Sequence, residues 1–162
     1  LAWMLILGLQ HRAGETRKDT TRNILETREF VVNLVDAPIA RQMVDCAVEF
    51  PAEVDEAERV GFTWQPSVTV RPGRIAETPV AFECRLERAV EFPGRCIVFG
   101  EIGWMHIRDA CIDPVTLRVR PESYRPVARM HGDNYVIAES WFELPKLSYE
   151  EWCADRETPR EG

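Results

Sequence analysis

The sequence has no Cys-x-x-Cys pair, no His-x-x-x-His pair, no apolar run of membrane-spanning length and no excess of basic charge. Its five cysteines, Cys46, Cys84, Cys96, Cys111 and Cys153, are odd in number and irregularly spaced. That argues against a disulfide framework and a structural zinc site, and makes a reducing cytoplasm the expected setting. The three histidines, His11, His106 and His131, stand far apart, so no metal site is expected. Lys plus Arg is 20 against 27 for Asp plus Glu, a formal charge of -7, so no nucleic-acid partner is expected. A membrane helix needs about 18 to 20 apolar residues in succession, and their lack points to a soluble chain with no membrane partner. The apolar opening, residues 1–9, lacks a starting Met, a basic leader and a small-residue cleavage site, and reads as a strand.

What is present suffices for one domain over residues 1–162. With 45% hydrophobic and 29% charged residues, a chain of this size buries about 70% of its unfolded surface. The continuous apolar run at residues 1–9 suits a strand buried on both faces. Asp19 precedes Thr20-Thr21-Arg22-Asn23-Ile24-Leu25-Glu26-Thr27 and is placed to cap a short helix. Phe30-Val31-Val32-Asn33-Leu34-Val35 is rich in β-branched residues and predicts the next strand. Pro38 suits the first turn of a second helix running past Ala47 and stopped at Phe50-Pro51. A third helix is expected over residues 54–60, closed by Gly61, and residues 64–79, with Pro66, Pro72, Gly73 and Pro79, read as a surface loop.

The clearest pattern is period two: Phe82, Cys84 and Leu86 alternate with Glu83, Arg85 and Glu87, marking a half-buried strand. A turn at Phe92-Pro93-Gly94-Arg95 returns it as a long strand from Cys96 to Ile107, and Cys84 and Cys96 should not face each other across it. Gly100 and Gly103 within that strand predict a bulge, a bend or a close backbone approach. A further strand is expected over residues 135–142. The pattern predicts a mainly β fold with inserted helices, a small decorated barrel.

Two constellations could carry chemistry. Arg17, Lys18, Asp19 and Thr20 bring cations, a cap and a hydroxyl to a helix N-terminus, which favours a phosphate, though an ordinary capped helix has the same residues. Arg129, His131 and Tyr135 surround Gly132 and could hold a planar ligand or simply form a polar turn. His106, after Trp104, reads as a satisfied histidine at a strand end. No residue presents itself as catalytic.

The ordered set Arg17-Lys18-Asp19-Thr20-Thr21-Arg22-Asn23-Ile24, Glu29-Phe30-Val31-Val32-Asn33-Leu34, Pro79-Val80-Ala81-Phe82-Glu83-Cys84, Gly100-Glu101-Ile102 with His106-Ile107, and Pro126-Val127-Ala128-Arg129 with Gly132 and Tyr135 resembles the flavin reductase-like proteins that have an FMN-binding split β-barrel. The resemblance implies a homodimer holding FMN near the subunit interface. Lys18 and Thr20 would contact its phosphate, with Arg17 as a second cofactor-binding cation beside them, Asp19 would orient the helix, and Arg129, His131 and Tyr135 would lie on the cofactor or substrate side. It also implies NADH or NADPH as hydride donor and a redox partner protein as a possible acceptor. A non-enzymatic FMN electron carrier, or a dimer without flavin, is the alternative. The family pattern places an Asn-x-Ala-Pro-x-Ser loop between an Ala-Trp strand and one like Leu5-Ile6-Leu7-Gly8-Leu9. Here Leu1-Ala2-Trp3-Met4 joins the second directly, so the expectation is an omitted loop, with Cα atoms at the join much farther apart than the about 3.8 Å of a trans peptide.

Overall fold

The computed structural model describes residues 2–12, 16–51 and 53–157. Leu1, Gly14 and Glu15, which the sequence places in the first strand and the loop after it, lie outside the described residues. The chain runs β1 (Trp3–Gln10), α1 (Asp19–Thr27), β2 (Glu29–Leu34), α2 (Ala40–Asp45), α3 (Glu56–Arg59), β3 (Trp64–Gln65), β4 (Arg74–Ile75), β5 (Val80–Phe92), β6 (Arg95–Ile107), β7 (Val127–His131), β8 (Asn134–Ile137) and α4 (Tyr149–Glu157). No helix among the described residues is long and apolar enough to cross a membrane.

The expected mainly β fold with inserted helices is what forms. Four antiparallel strands make the central sheet in the order β1-β6-β5-β2, and β3-β4 and β7-β8 form separate two-stranded pieces. The β5–β6 hairpin turns at Pro93 and Gly94, where Gly94 takes a φ of 76°. Cys84 pairs with Ile102 and Cys96 with Glu91, so the two thiols do not face each other. Ile24 of α1 covers one face of the sheet and packs with Phe30, Cys84, Leu86, Cys96 and Val98. Leu5, Leu7 and Leu9 close that core from β1. A second cluster, Ile39, Phe62 and Ile75, lies beside the short helices.

Two bulges break the hairpin's register. Glu83 pairs with Trp104 and Cys84 with Ile102, leaving Gly103 extra on β6, while Leu86 pairs with Gly100 and Arg88 with Phe99, leaving Glu87 extra on β5. An extra residue increases local twist and bends the strand. Two of the three features expected of the glycines are found, one at each: Gly103 is the bulge, and Gly100 is the close approach, because a Cβ there would overlap the Phe30 ring.

Several elements depart from expectation. β1 is an edge strand with one covered face: residues 5, 7 and 9 are partly buried, whereas Trp3 is 75% and Ile6 63% exposed. Its outward side chains, Met4 and Ile6 among them, are exposed among the described residues. Met4 and Leu5, where the resemblance implies an omitted loop, pair consecutively with Glu101 and Gly100. Lys18, extended at φ -66° and ψ 159°, is the N-cap of α1 in place of Asp19 and makes no side-chain cap. The Asp19 carboxylate is drawn to Arg12 and Arg22 instead. The second helix opens as a 3-10 turn at Ala37–Ile39 with Pro38 in its first turn and ends at Asp45, short of Ala47. The loop over 64–79 contains the β3–β4 pair, and the last strand is shorter than expected, ending at Ile137.

Candidate functional site

At the start of α1, Arg12 Nη2 donates to Asp19 Oδ2 at 2.9 Å and Arg22 Nη2 to Oδ1 at 2.6 Å. Desolvation works to raise the Asp19 pKa, but the two guanidiniums outweigh it and hold the carboxyl below its ordinary range. Arg17 pairs with Glu91 at 2.8 Å. The Lys18 ammonium has no hydrogen-bond or ion-pair partner among the described residues, and the first-turn amides of α1 have no side-chain cap. Thr21 is fully buried and its Oγ1 has no partner; the buried His11 ring, 3.6 Å from Glu91, has none on either nitrogen. Uncapped amides and a free ammonium at one helix start fit an anion that supplies the missing acceptors. The two expected phosphate contacts, Lys18 and the exposed Thr20, are free to serve, while Arg17 and Asp19 beside them are engaged with Glu91 and with Arg12 and Arg22.

The second expected group sits on the β7–β8 hairpin. Arg129 and Tyr135 are directly paired, with the guanidinium carbon 5.8 Å from the ring centroid, and Arg129 Nε donates to the Gly132 carbonyl at 2.9 Å. Gly132 turns the hairpin at a φ of 55°. His131 pairs with Asn134 and is exposed. The hairpin is tied to the end of β2 by Val127 N donating to the Val35 carbonyl and Ala37 N to that of Arg125.

Within one chain the two groups are not brought together. Arg17 holds the start of α1 to Glu91 near the tip of the β5–β6 hairpin, whereas β7 joins next to Leu34, the partner of Val80 where β5 begins. From Val80 to Glu91 is about 36 Å of extended chain at about 3.3 Å per residue.

His106, at the end of β6, is the satisfied histidine expected there, but its partner Glu83 is not foreseen from the sequence. Glu83 is wholly buried, although its period-two position faces outward, because residues 67–71 cross the outer face of β5 and seal it. Val68 N and Thr69 N donate to the carboxylate at 2.7 and 2.6 Å, Thr69 Oγ1 at 2.7 Å, and His106 Nε2 lies 2.6 Å from Oε1. Burial pushes the Glu83 pKa upward, but His106 and the Val68 and Thr69 donors overcome it and bring it to about 2. Arg85 and Arg71 fasten the same segment through Thr69 O and Glu29. Only a Glu beside a distant His, with an isolated Ser-Val-Thr between prolines, hinted at this in the sequence. His106 lines a polar pocket of about 460 Å³, and a second, largely apolar pocket of about 360 Å³ lies across β4 under Ile39, Met43, Phe62 and Trp64. No cluster of His, Cys, Asp and Glu able to hold a metal occurs among the described residues.

A sheet with this hairpin, bulges and helix placement defines a split β-barrel of the flavin reductase kind. The family described as flavin reductase like domain matches residues 4–128, and the chain belongs to it. A protein of Aquifex aeolicus is 38% identical over 135 residues, covering 83% of this chain and 68% of that protein. The crystal structure of 2-nitrobenzoate 2-nitroreductase from Pseudomonas fluorescens superposes with a TM-score of 0.79 at 36% identity, covering 98% of this chain and 73% of that one. Nitrilotriacetate monooxygenase component B from Bacillus cereus reaches a TM-score of 0.81 at 28% identity, covering 87% and 71%. The chain thus spans about two thirds to three quarters of the length of these proteins.

Proposed function

We propose that the protein is an FMN-dependent oxidoreductase of the NAD(P)H:flavin reductase type, acting as a cytoplasmic homodimer. The observation that carries this reading is the start of α1, where the unpaired Lys18 ammonium and the exposed Thr20 stand at first-turn amides that no side chain caps. Bound FMN would supply the redox chemistry, accepting hydride from NADH or NADPH and passing electrons onward. The chain's own residues bind and orient. Lys18 and Thr20 hold the phosphate, Asp19 fixes the first turn of α1 through Arg12 and Arg22, and Arg129 with Tyr135 offers a cation and an aromatic face.

The distance between the two groups supports the homodimer, since a second copy can set its hairpin beside the first copy's helix. The uncovered outward face of β1 and β6 supplies apolar surface for such a contact. The relation to a component B of a monooxygenase favours a partner protein as the onward acceptor.

Anaerobic stopped-flow reduction of the FMN-loaded protein tests the reading. Bleaching of the flavin by NADH or NADPH at a catalytically useful rate is expected. Reduction only by a partner protein would make it an electron carrier, and failure to bind FMN would overturn both. Lys18→Ala with Thr20→Ala should weaken FMN binding by about tenfold or more, and unchanged affinity would remove the phosphate assignment.

A further inference from the structure

We propose that the polar pocket where β5 begins is a second anion site, in which the Arg74 guanidinium grips the carboxylate of a small organic acid against His106. The pocket, about 460 Å³, is lined by Arg74, Ala76, Ala81, His106, Arg108 and Asp109, among others. Arg74 Nε is buried without an acceptor, and no carboxylate pairs with Arg74 among the described residues. A buried, permanently charged donor left unpaired is costly, and a planar guanidinium fork matches a carboxylate with two parallel hydrogen bonds. Ligand oxygens supply what the protein withholds.

The surroundings fix the geometry of the grip. Arg108 donates through Nη2 to the Glu77 carbonyl at 2.6 Å, which places its charge at the rim. Glu83 acts as a positioning residue: an ionised carboxylate only accepts, so His106 Nε2 carries the proton of their 2.6 Å bond, and Nδ1 is left for a ligand or water. Asp109 is the exposed carboxylate of the lining, and its repulsion selects a singly charged carboxylate over a phosphate dianion. Ala81, Met105 and Ile107 give the ligand's body an apolar wall.

This site stands apart from the flavin reading, since it lies at the opposite end of β5 from Lys18 and its failure would leave that reading intact. The test uses benzoate and inorganic phosphate as probes of the full-length chain, followed by calorimetry and by the Arg74 Nε–H resonance. Benzoate should bind saturably in the millimolar range or tighter and shift that resonance, with phosphate weaker by about tenfold. Arg74→Gln should weaken benzoate by about tenfold or more, with Arg74→Lys, which keeps the charge and loses the fork, falling between. Ala76→Asp provides a second variant that leaves Arg74 in place and repels the probe. Lys18→Ala with Thr20→Ala should not alter benzoate binding. Absence of saturable binding up to about 50 mM, or equal affinity in wild type and Arg74→Gln, overturns the proposal. Phosphate binding as tightly as benzoate overturns the preference for a carboxylate.

Discussion

His106 and Glu83, 23 positions apart in sequence, meet at 2.6 Å across the β5–β6 hairpin because the Gly103 bulge and the strap at residues 67–71 seal the carboxylate between them. Its folded pKa, about 2, lies below the ordinary carboxylate value of 4.5. The ionised form is therefore the one the fold favours, and Glu83 stabilises the protein fully above about pH 5. That contribution, about 3 kcal/mol from the shift, drains away as pH falls through the folded value. Glu83→Gln sets an amide against backbone donors it cannot accept from on both atoms. Denaturant unfolding should show the variant less stable by about 3 kcal/mol at neutral pH, with the gap to wild type closing as the pH is lowered toward 2. A constant gap across that range would contradict the assignment.

The two glycines of β6 differ in what surrounds them. A methyl at Gly100 would overlap the Phe30 ring in the middle of the main core, whereas one at Gly103 meets Thr69 Oγ1 at 3.7 Å, an ordinary contact. Overpacking a core costs about 1 to 3 kcal/mol. Gly100→Ala should lower the melting temperature by several degrees, and Gly103→Ala should lower it much less. Equal melting temperatures would mean that Phe30 moves aside freely.

Much of the fold was legible because it depends on local pattern. Alternation along residues 82–86, the Pro93-Gly94 turn and the two glycines of the returning strand were enough for the hairpin. What escaped depends on contacts distant in sequence. Glu83 lies on the face that the alternation assigns to solvent, and only a proline-rich segment about 15 residues upstream removes it from water. Asp19 has the residue type of a cap, but Arg12 and Arg22 compete for its oxygens more strongly than a backbone amide does. The apolar opening run reads as doubly buried, because an unbroken run of apolar residues does not tell which face of the strand the chain covers, and here only residues 5, 7 and 9 are partly buried.

The five free thiols divide by burial. Burial, with the Glu83 charge beside it, pushes the Cys84 thiol up to about 12, and burial likewise raises Cys96 and Cys111. Cys46 and Cys153 are partly exposed. A thiol reagent at pH 8 should label Cys153 and Cys46 in the native protein and reach the other three only on unfolding, as peptide mapping would show. Rapid labelling of Cys84 in the native state would contradict the buried core.

The last prediction concerns the outward face of the sheet. Met4 and Ile6 of β1 share that face with Ile97 and Phe99 of β6 and Val90 of β5, by the pairing of Ile6 with Phe99 and of Ile97 with Val90. The strap at residues 67–71 covers the β5 end near Glu83 and Arg85, while Met4 and Ile6 stand exposed and Val90, Ile97 and Phe99 are partly so. If a second copy supplies the cover, a charge at its centre is desolvated on association and opposes it. Ile6→Glu is exposed in the single chain, so folding should persist, with an unchanged far-ultraviolet spectrum. Sedimentation should show the wild type as a dimer and the variant as a monomer at micromolar concentration, and FMN affinity should fall with dimerisation because Lys18 loses the hairpin of the other copy. A variant that remains dimeric and keeps its FMN would place the interface elsewhere; one that turns monomeric yet binds FMN unchanged would confine the flavin to a single chain.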